Sequence, residues 1–411
     1  MGPSSPLFGC VAACLIVLVP GVMSAQTPPV TGPLTLRDAT QRAIDANPNI
    51  AAARLSHAVS AAGVGVAGER PNPEITYDIE KETPRQAITG AIPIELGGKR
   101  TARLNLANAT VATTDAEVAR LIASVRADVR QAYYAALAAG RRLAIAEDLR
   151  ALAIRTRDAS RARFNAGDVP EMEVVQTELV VINTDNDVTG ARGDVTATRA
   201  SLNALLGQPP ATLLTLSDDF TTSELPSADA AVAQALGGNA ELTLLDKRIA
   251  EQQMKRALAQ AMRRTDLSTA AAVTWDADEE FKVGWRLGFG VTVPVFTQHK
   301  ASLLVEDAEL TRLRAEREAL SARIGADVVA AVAKASAARE QLERFQNESL
   351  PRVQTLERMA QDSYNSGQTG LVALLQALQQ AREVRQRTLQ AGIDFQSAMA
   401  ELERAIGLVG R

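Results

Sequence analysis

From Lys99 to Phe164 the chain carries no proline and a single helix breaker, Gly140. At about 1.5 Å per residue this predicts a helix on the order of 100 Å long, where an ordinary core helix has about a dozen residues. Within it Val118, Ile122, Val125, Val129, Ala132, Ala136, Ala139, Leu143 and Ala146 recur at alternating steps of four and three. That is a heptad seam of small apolar side chains, and it requires partner helices along its length. A second stretch, from about Lys300 to Tyr364, repeats the feature through Ile324, Val328, Val332 and Leu342. Aromatic residues make up only 3% of the 411, which suits helices packed closely through small side chains better than one bulky core.

Between the helical stretches lie segments of period two. Every odd residue from Phe281 to Val295 is apolar, while Lys282, Gly284, Arg286, Gly288, Gly290, Thr292 and Pro294 fill the even positions. Such alternation predicts a strand with one apolar face. Ile75, Tyr77 and Ile79 alternate in the same way with Glu74, Thr76, Asp78 and Glu80, and further strands are expected over Ile88–Ile94 and Leu267–Trp275.

The pattern occurs twice. "RFNAGDVPEMEVVQTEL" from Arg163 returns as "SYNSGQTGLVALLQALQ" from Ser363, and "LNALLG" ending at Gly207 returns as "LERAIG" ending at Gly407. "AIPIELGGKRTA" from Ala91 matches "TVPVFTQHKAS" from Thr292, and "NPNI" at Asn47 answers "NAEL" at Asn239. Each copy reads as helix, two strands, very long helix, turn and return helix. The division expected is residues 26–220 for the first repeat and 221–411 for the second, the two interleaving in one protomer. In the first copy the opening helix starts after Thr35, with Asp38 in its first turn, is interrupted at Asn47-Pro48, and runs toward Glu69.

Residues 1–25 contain no charged side chain and carry an apolar run from Val11 to Val19 followed by Pro20, Gly21 and small residues, the pattern of a cleaved secretory signal peptide. Both cysteines, Cys10 and Cys14, fall inside it, so disulfide and thiol chemistry are not expected of the mature chain. No later stretch offers eighteen consecutive apolar residues, so no membrane helix is expected there. The net charge of −4, with both signs interspersed, lacks the basic face of a nucleic-acid binder.

The helices spend their apolar seams on one another, which leaves lipid as the partner of the strands' apolar faces. Strands in lipid must form a closed barrel, because each unpaired backbone group there costs several kcal/mol. Four strands cannot close, since the smallest membrane barrels have about eight. Two copies would give an eight-stranded barrel, whose interior is filled by side chains. Three copies give twelve strands around a water-filled bore. The fold class expected is therefore mixed α/β, mainly α: long antiparallel helical hairpins forming an α-barrel, joined to a twelve-stranded transmembrane β-barrel shared by a homotrimer. Glu74, Thr76, Asp78, Glu80, Thr274, Asp276, Lys282 and Arg286 would face the lumen, with Trp275, Trp285 and Tyr77 at the membrane interfaces.

The helix-strand-strand-helix repeat, the "PIELGGKR" junction from Pro93, the turns "FNAGDV" and "YNSGQT", and the endings "LLG" and "AIG" resemble the outer membrane efflux protein family typified by TolC. "ELGGKR" and the chain's compact length are most similar to its heavy-metal, CzcC-like branch. The resemblance implies an outer membrane location in a Gram-negative bacterium, a long periplasmic extension, and a passive exit duct. Such a duct takes substrate from an inner-membrane pump, of the RND type, through a periplasmic adaptor. Alternatives are a soluble periplasmic coiled-coil adaptor or scaffold, a type I secretion exit duct, and a self-sufficient porin.

The resemblance also places the turns Phe164, Asn165, Gly167 and Asp168, and Tyr364, Asn365, Gly367 and Gln368, at a periplasmic tip that meets the adaptor. Where family members often carry two aspartates one turn apart beyond the second turn, this chain has Ala373 and Gln376. Glu171 and Glu173 follow the first turn instead and are candidate aperture rings, since rings of carboxylates attract cations. Glu74, Asp78, Lys282 and Arg286 are the candidate lumen charges of the β-barrel. No HExxH, GxSxG or phosphate loop occurs, so no enzyme is expected. His57 and His299 stand alone, without metal-ligand spacing, so neither a resident metal nor a cofactor is expected.

Overall fold

The computed structural model describes residues 32–277 and 281–408. The signal-peptide reading of residues 1–25 lies outside the described residues, as do residues 278–280 between the last two strands. The chain opens with α1 (Leu36–Ala46), whose N-cap Thr35 accepts from the Asp38 amide. Then come α2 (Pro48–Gly68), β1 (Glu74–Ile79), β2 (Gln86–Ile94), the continuous helix α3 (Lys99–Asn165) and α4 (Glu171–Leu205). The same order resumes with α5 (Ala228–Gly238), α6 (Ala240–Met262), β3 (Asp266–Ala277), β4 (Phe281–Thr292), α7 (Lys300–Arg344), α8 (Leu350–Asn365) and α9 (Leu371–Ile406). The helix α3 packs along α2, α4, α6 and α9, so elements from both halves of the chain surround it.

The kinks at Asn47 and Asn239 show why "NPNI" and "NAEL" correspond. Asn47, 2% exposed, accepts from the amides of Asn49 (2.9 Å) and Ile50 (3.3 Å) and donates through Nδ2 to the Leu205 carbonyl (2.9 Å). Asn239 accepts from Glu241 (2.8 Å) and Leu242 (3.3 Å) and donates to the carbonyls of Ala405 (3.0 Å) and Ile406 (3.2 Å). Each asparagine thus caps one helix and ties it to the end of the return helix. Gly207 (φ +66°) and Gly407 (φ +65°) follow those ends. A Cβ at Gly207 would lie 2.2 Å from the Ala46 carbonyl oxygen, and one at Gly407 would lie 2.5 Å from Asn239 Nδ2, so only glycine permits both approaches.

The main core lies beside the middle of α3, where Val125, Val129, Tyr133, Leu137 and Ala138 pack with Leu34, Ile50, Leu202 and Leu206. Its buried face is wider than the heptad seam alone. Tyr133 is fully buried and its hydroxyl donates to the Leu34 carbonyl at 2.7 Å. Leu34 in turn forms a parallel bridge with Leu216, an unexpected pairing of residues far apart in sequence. A second core joins Leu242, Leu245, Ile324, Val328, Val332 and Leu402.

Two expectations need correction. The helix of the second copy is not uniform: a π turn, Phe345–Ser349, separates α7 from α8, with the Leu350 amide bonded to the Phe345 carbonyl. Pro351, which has no amide to donate, lies just beyond it. The strand expected to reach Val295 stops at Thr292, because Pro294 cannot donate to a ladder, and the Val295 amide turns back to the Val293 carbonyl (2.9 Å). The helix α2 has a membrane span's length and composition, yet in this fold it packs along α3 and carries Arg54 and His57.

Candidate functional site

The four strands form one antiparallel meander in the order β1-β2-β3-β4. Its register sorts side chains cleanly by face. One row places Tyr77, Ile88, Val273 and Trp285 side by side, and the next places Ile75, Gly90, Ala271 and Leu287 together. This face is bare: Trp285 is 79% exposed, Phe289 77%, Ile75 75% and Ile79 74%. The opposite face holds Thr76, Thr89, Ala272 and Arg286 in one row and Asp78, Ala87, Thr274 and Gly284 in another. Glu74, Asp78, Lys282 and Arg286 therefore share the polar face, as the alternation requires. Asp276 differs from the other polar-face residues, because its backbone is left-handed (φ 64°). Among the described residues neither β1 nor β4 has a partner along its outer edge.

At the loop end of the apolar face, Tyr77 stacks on Trp275 with ring centroids 6.2 Å apart. Both donate to Gln86 Oε1, at 2.8 Å and 3.0 Å. Each ring thus presents an apolar body and a satisfied polar tip, the chemistry of a membrane interface.

A polar junction joins the sheet to the helices. Lys99, 6% exposed, donates to Asp266 at 2.6 Å, and Asp266 also accepts from the Leu96 amide at 3.2 Å. Gly97 adopts φ +75°, and a Cβ there would meet Arg264 Cδ at 2.4 Å. Arg103 forks onto both oxygens of Glu95, at 2.9 Å for Oε2, and donates to the Glu69 carbonyl at 3.1 Å. The hydrogen bonds from Arg103 hold the Glu95 carboxyl below the usual carboxylate range. Far from this junction, burial pushes the phenol of Tyr133 upward.

At the other end both long hairpins turn in the same way. Gly167 (φ 83°) follows α3 with Asp168 N bonded to the Arg163 carbonyl (2.9 Å); Gly367 (φ 73°) follows α8 with Gln368 N bonded to the Ser363 carbonyl (2.9 Å). Phe164, Asn165, Gly167, Asp168, Gly367 and Gln368 are exposed, and Asn365 ends α8. Tyr364 points inward instead, at 3% exposure. Its hydroxyl lies 3.0 Å from Ser160 Oγ and 3.0 Å from Glu173 Oε1. The Arg163 guanidinium sits over its ring at 5.4 Å and lies 3.8 Å from Glu173. Of the two carboxylates after the first turn, Glu171 is exposed, whereas Glu173 is held between the hairpins. The sequence could not reveal this cross-tie, because it joins residues about two hundred positions apart.

No group of three His, Cys, Asp or Glu side chains suited to a metal ion occurs among the described residues. His57 is paired with Asp115 through Nδ1 at 2.6 Å.

A four-stranded ribbon with one bare apolar face, carried on paired helical hairpins, is a fold shared with solved outer membrane channels. The chain covers 85% of the Campylobacter jejuni CmeC outer membrane channel at a TM-score of 0.74 and 14% identity, over 90% of its own length. It covers 96% of the outer membrane protein VceC of Vibrio cholerae at 0.71 and 15% identity, again over 90% of its own length. Residues 39–208 match the model of the outer membrane efflux protein family. A stretch of 145 residues, 34% of the chain, is 34% identical to the cobalt-zinc-cadmium resistance protein CzcC of Cupriavidus metallidurans; the match spans 35% of that relative's length.

Proposed function

We propose that three copies assemble in the outer membrane of a Gram-negative bacterium as the exit duct of a tripartite efflux system. The observation that carries this reading is the sheet: a bare apolar face, a polar opposite face and two unpaired edges describe part of a closed lipid-spanning wall. The helical hairpins then extend the bore into the periplasm by a distance on the order of 100 Å. In this reading residues 26–220 and 221–411 are the two repeats of one protomer. The exposed turns at Phe164–Asp168 and Gly367–Gln368 meet a periplasmic adaptor, which hands over cargo from an RND-type inner-membrane pump. The duct itself performs no chemistry. Tyr364, Glu173, Ser160 and Arg163 tie the two hairpins together where the tip must widen for passage, and exposed Glu171 faces the aperture. The similarity to a cobalt-zinc-cadmium resistance protein favours divalent metal ions as cargo.

Deletion of the gene, followed by growth on graded cobalt, zinc and cadmium, tests this function. Metal sensitivity of the deletion strain, with tolerance restored by the full chain, is the expected result. Unchanged tolerance to metals, dyes and antibiotics, together with a wild-type protein that extracts into buffer without detergent, would favour the soluble scaffold.

A further inference from the structure

On the polar face the two outer strands carry opposite charges, while the inner strands are charged only where β3 begins and ends, at Asp266 and Asp276. Along β1 this face carries Glu74 and Asp78, and along β4 it carries Lys282 and Arg286. Between them β2 offers Ala87, Thr89 and Ala91, and the interior of β3 offers Ser268, Ala270, Ala272 and Thr274. All four charged residues of the outer strands are exposed, and none makes an ion pair within the described residues. Their separation explains why. β1 and β4 are three strand spacings apart, about 14 Å, well beyond the reach of an ion pair.

Opposite charges segregated to opposite open edges fit a second copy of the same chain. The strands alternate in direction, so β1 of a neighbouring copy added beside β4 continues the antiparallel meander. Glu74 and Asp78 are four residues apart, as are Lys282 and Arg286, so two oppositely charged pairs can form together across one such seam. Pairing β1 with β1 or β4 with β4 would set like charges opposite one another, which is destabilising.

We infer that Glu74 and Asp78 of one protomer engage Lys282 and Arg286 of the next, and that this charge pattern directs head-to-tail closure and opposes two-fold pairing of edges. The inference rests on the shared barrel proposed above and assigns the residues that govern its seams. A head-to-tail interface repeats around a ring, whereas a self-complementary one stops at two copies.

Charge reversal at each edge tests it in the full-length protein, with the yield of trimer from outer membranes read on unheated gels. Glu74→Lys with Asp78→Lys, or Lys282→Glu with Arg286→Glu, is expected to lower trimer yield about tenfold, since each seam then opposes like charges. All four substitutions together are expected to restore it to within about twofold of wild type, which separates a seam effect from misfolding. The inference is overturned if the fourfold variant is as depleted as either edge variant, or if both edge variants assemble like wild type. A wild-type trimer indifferent to these changes defeats the seam alone; a wild-type monomer, or one whose edges bind a different protein, defeats the shared barrel as well.

Discussion

Replacing Asn47 by alanine removes two separable interactions at the joint between α1 and α2. Its Oδ1 caps α2 through the amides of Asn49 and Ile50, and losing such a cap costs about 1 kcal/mol. Its Nδ2 serves the Leu205 carbonyl in a site where Asn47 is 2% exposed, and a buried carbonyl left without its donor costs a further 1–3 kcal/mol, roughly. The sum, about 2–4 kcal/mol, corresponds to roughly a 30- to 700-fold increase in local opening. Hydrogen exchange of the detergent-purified protein reads this directly, at the amides of Asn49 and Ile50 and around the end of α4. Asn47→Asp keeps the capping oxygen and loses the donor, so it should preserve more protection at Asn49 and Ile50 than alanine does, while loosening the end of α4 equally. Exchange in Asn47→Ala within about threefold of wild type would refute the cross-tie as a structural element.

Two further outcomes follow from the junction and the tip. Because Arg103 lowers the Glu95 pKa in the folded state, their pairing stabilises fully above the ordinary carboxylate pKa of about 4.3 and is lost as pH falls through the depressed value. Thermal melts of wild type should therefore fall more steeply between about pH 5 and 3 than those of Glu95→Gln, and parallel curves would argue against the linkage. At the tip, Tyr364→Phe keeps the ring beneath Arg163 and removes the contacts to Ser160 and Glu173. In planar bilayers its single-channel conductance should rise at least severalfold, by widening of the aperture; unchanged conductance would place the constriction elsewhere.

Local rules made much of this fold legible. Thr35, the Asn47-Pro48 break and the paired glycines at 97 and 98 punctuate the chain where the helices begin and end, because capping and backbone freedom act over a few residues. Alternation placed the charges of β1 and β4 on one face, because a strand's period allows no other arrangement. The contacts that escaped detection join distant segments: Tyr364 with Glu173, Asn47 with Leu205, and Leu34 with Leu216. Tyr364 stood in a turn motif, where exposure was the natural expectation. Its burial depends on where the other hairpin lies, which no local pattern records. Pro351 was visible in the sequence, but the wide turn beside it reflects how neighbouring helices keep the rod continuous past a missing donor.

That wide turn sets the two hairpins of each chain apart. One extra residue in a turn rotates everything beyond it by about 100°, and the first hairpin, built on an unbroken α3, has no such offset. Around the trimer proposed above, an encircling partner would therefore encounter two unlike ridges in alternation. Its own symmetry need match only the three-fold repeat of that pair, leaving room for two differently shaped contacts per protomer.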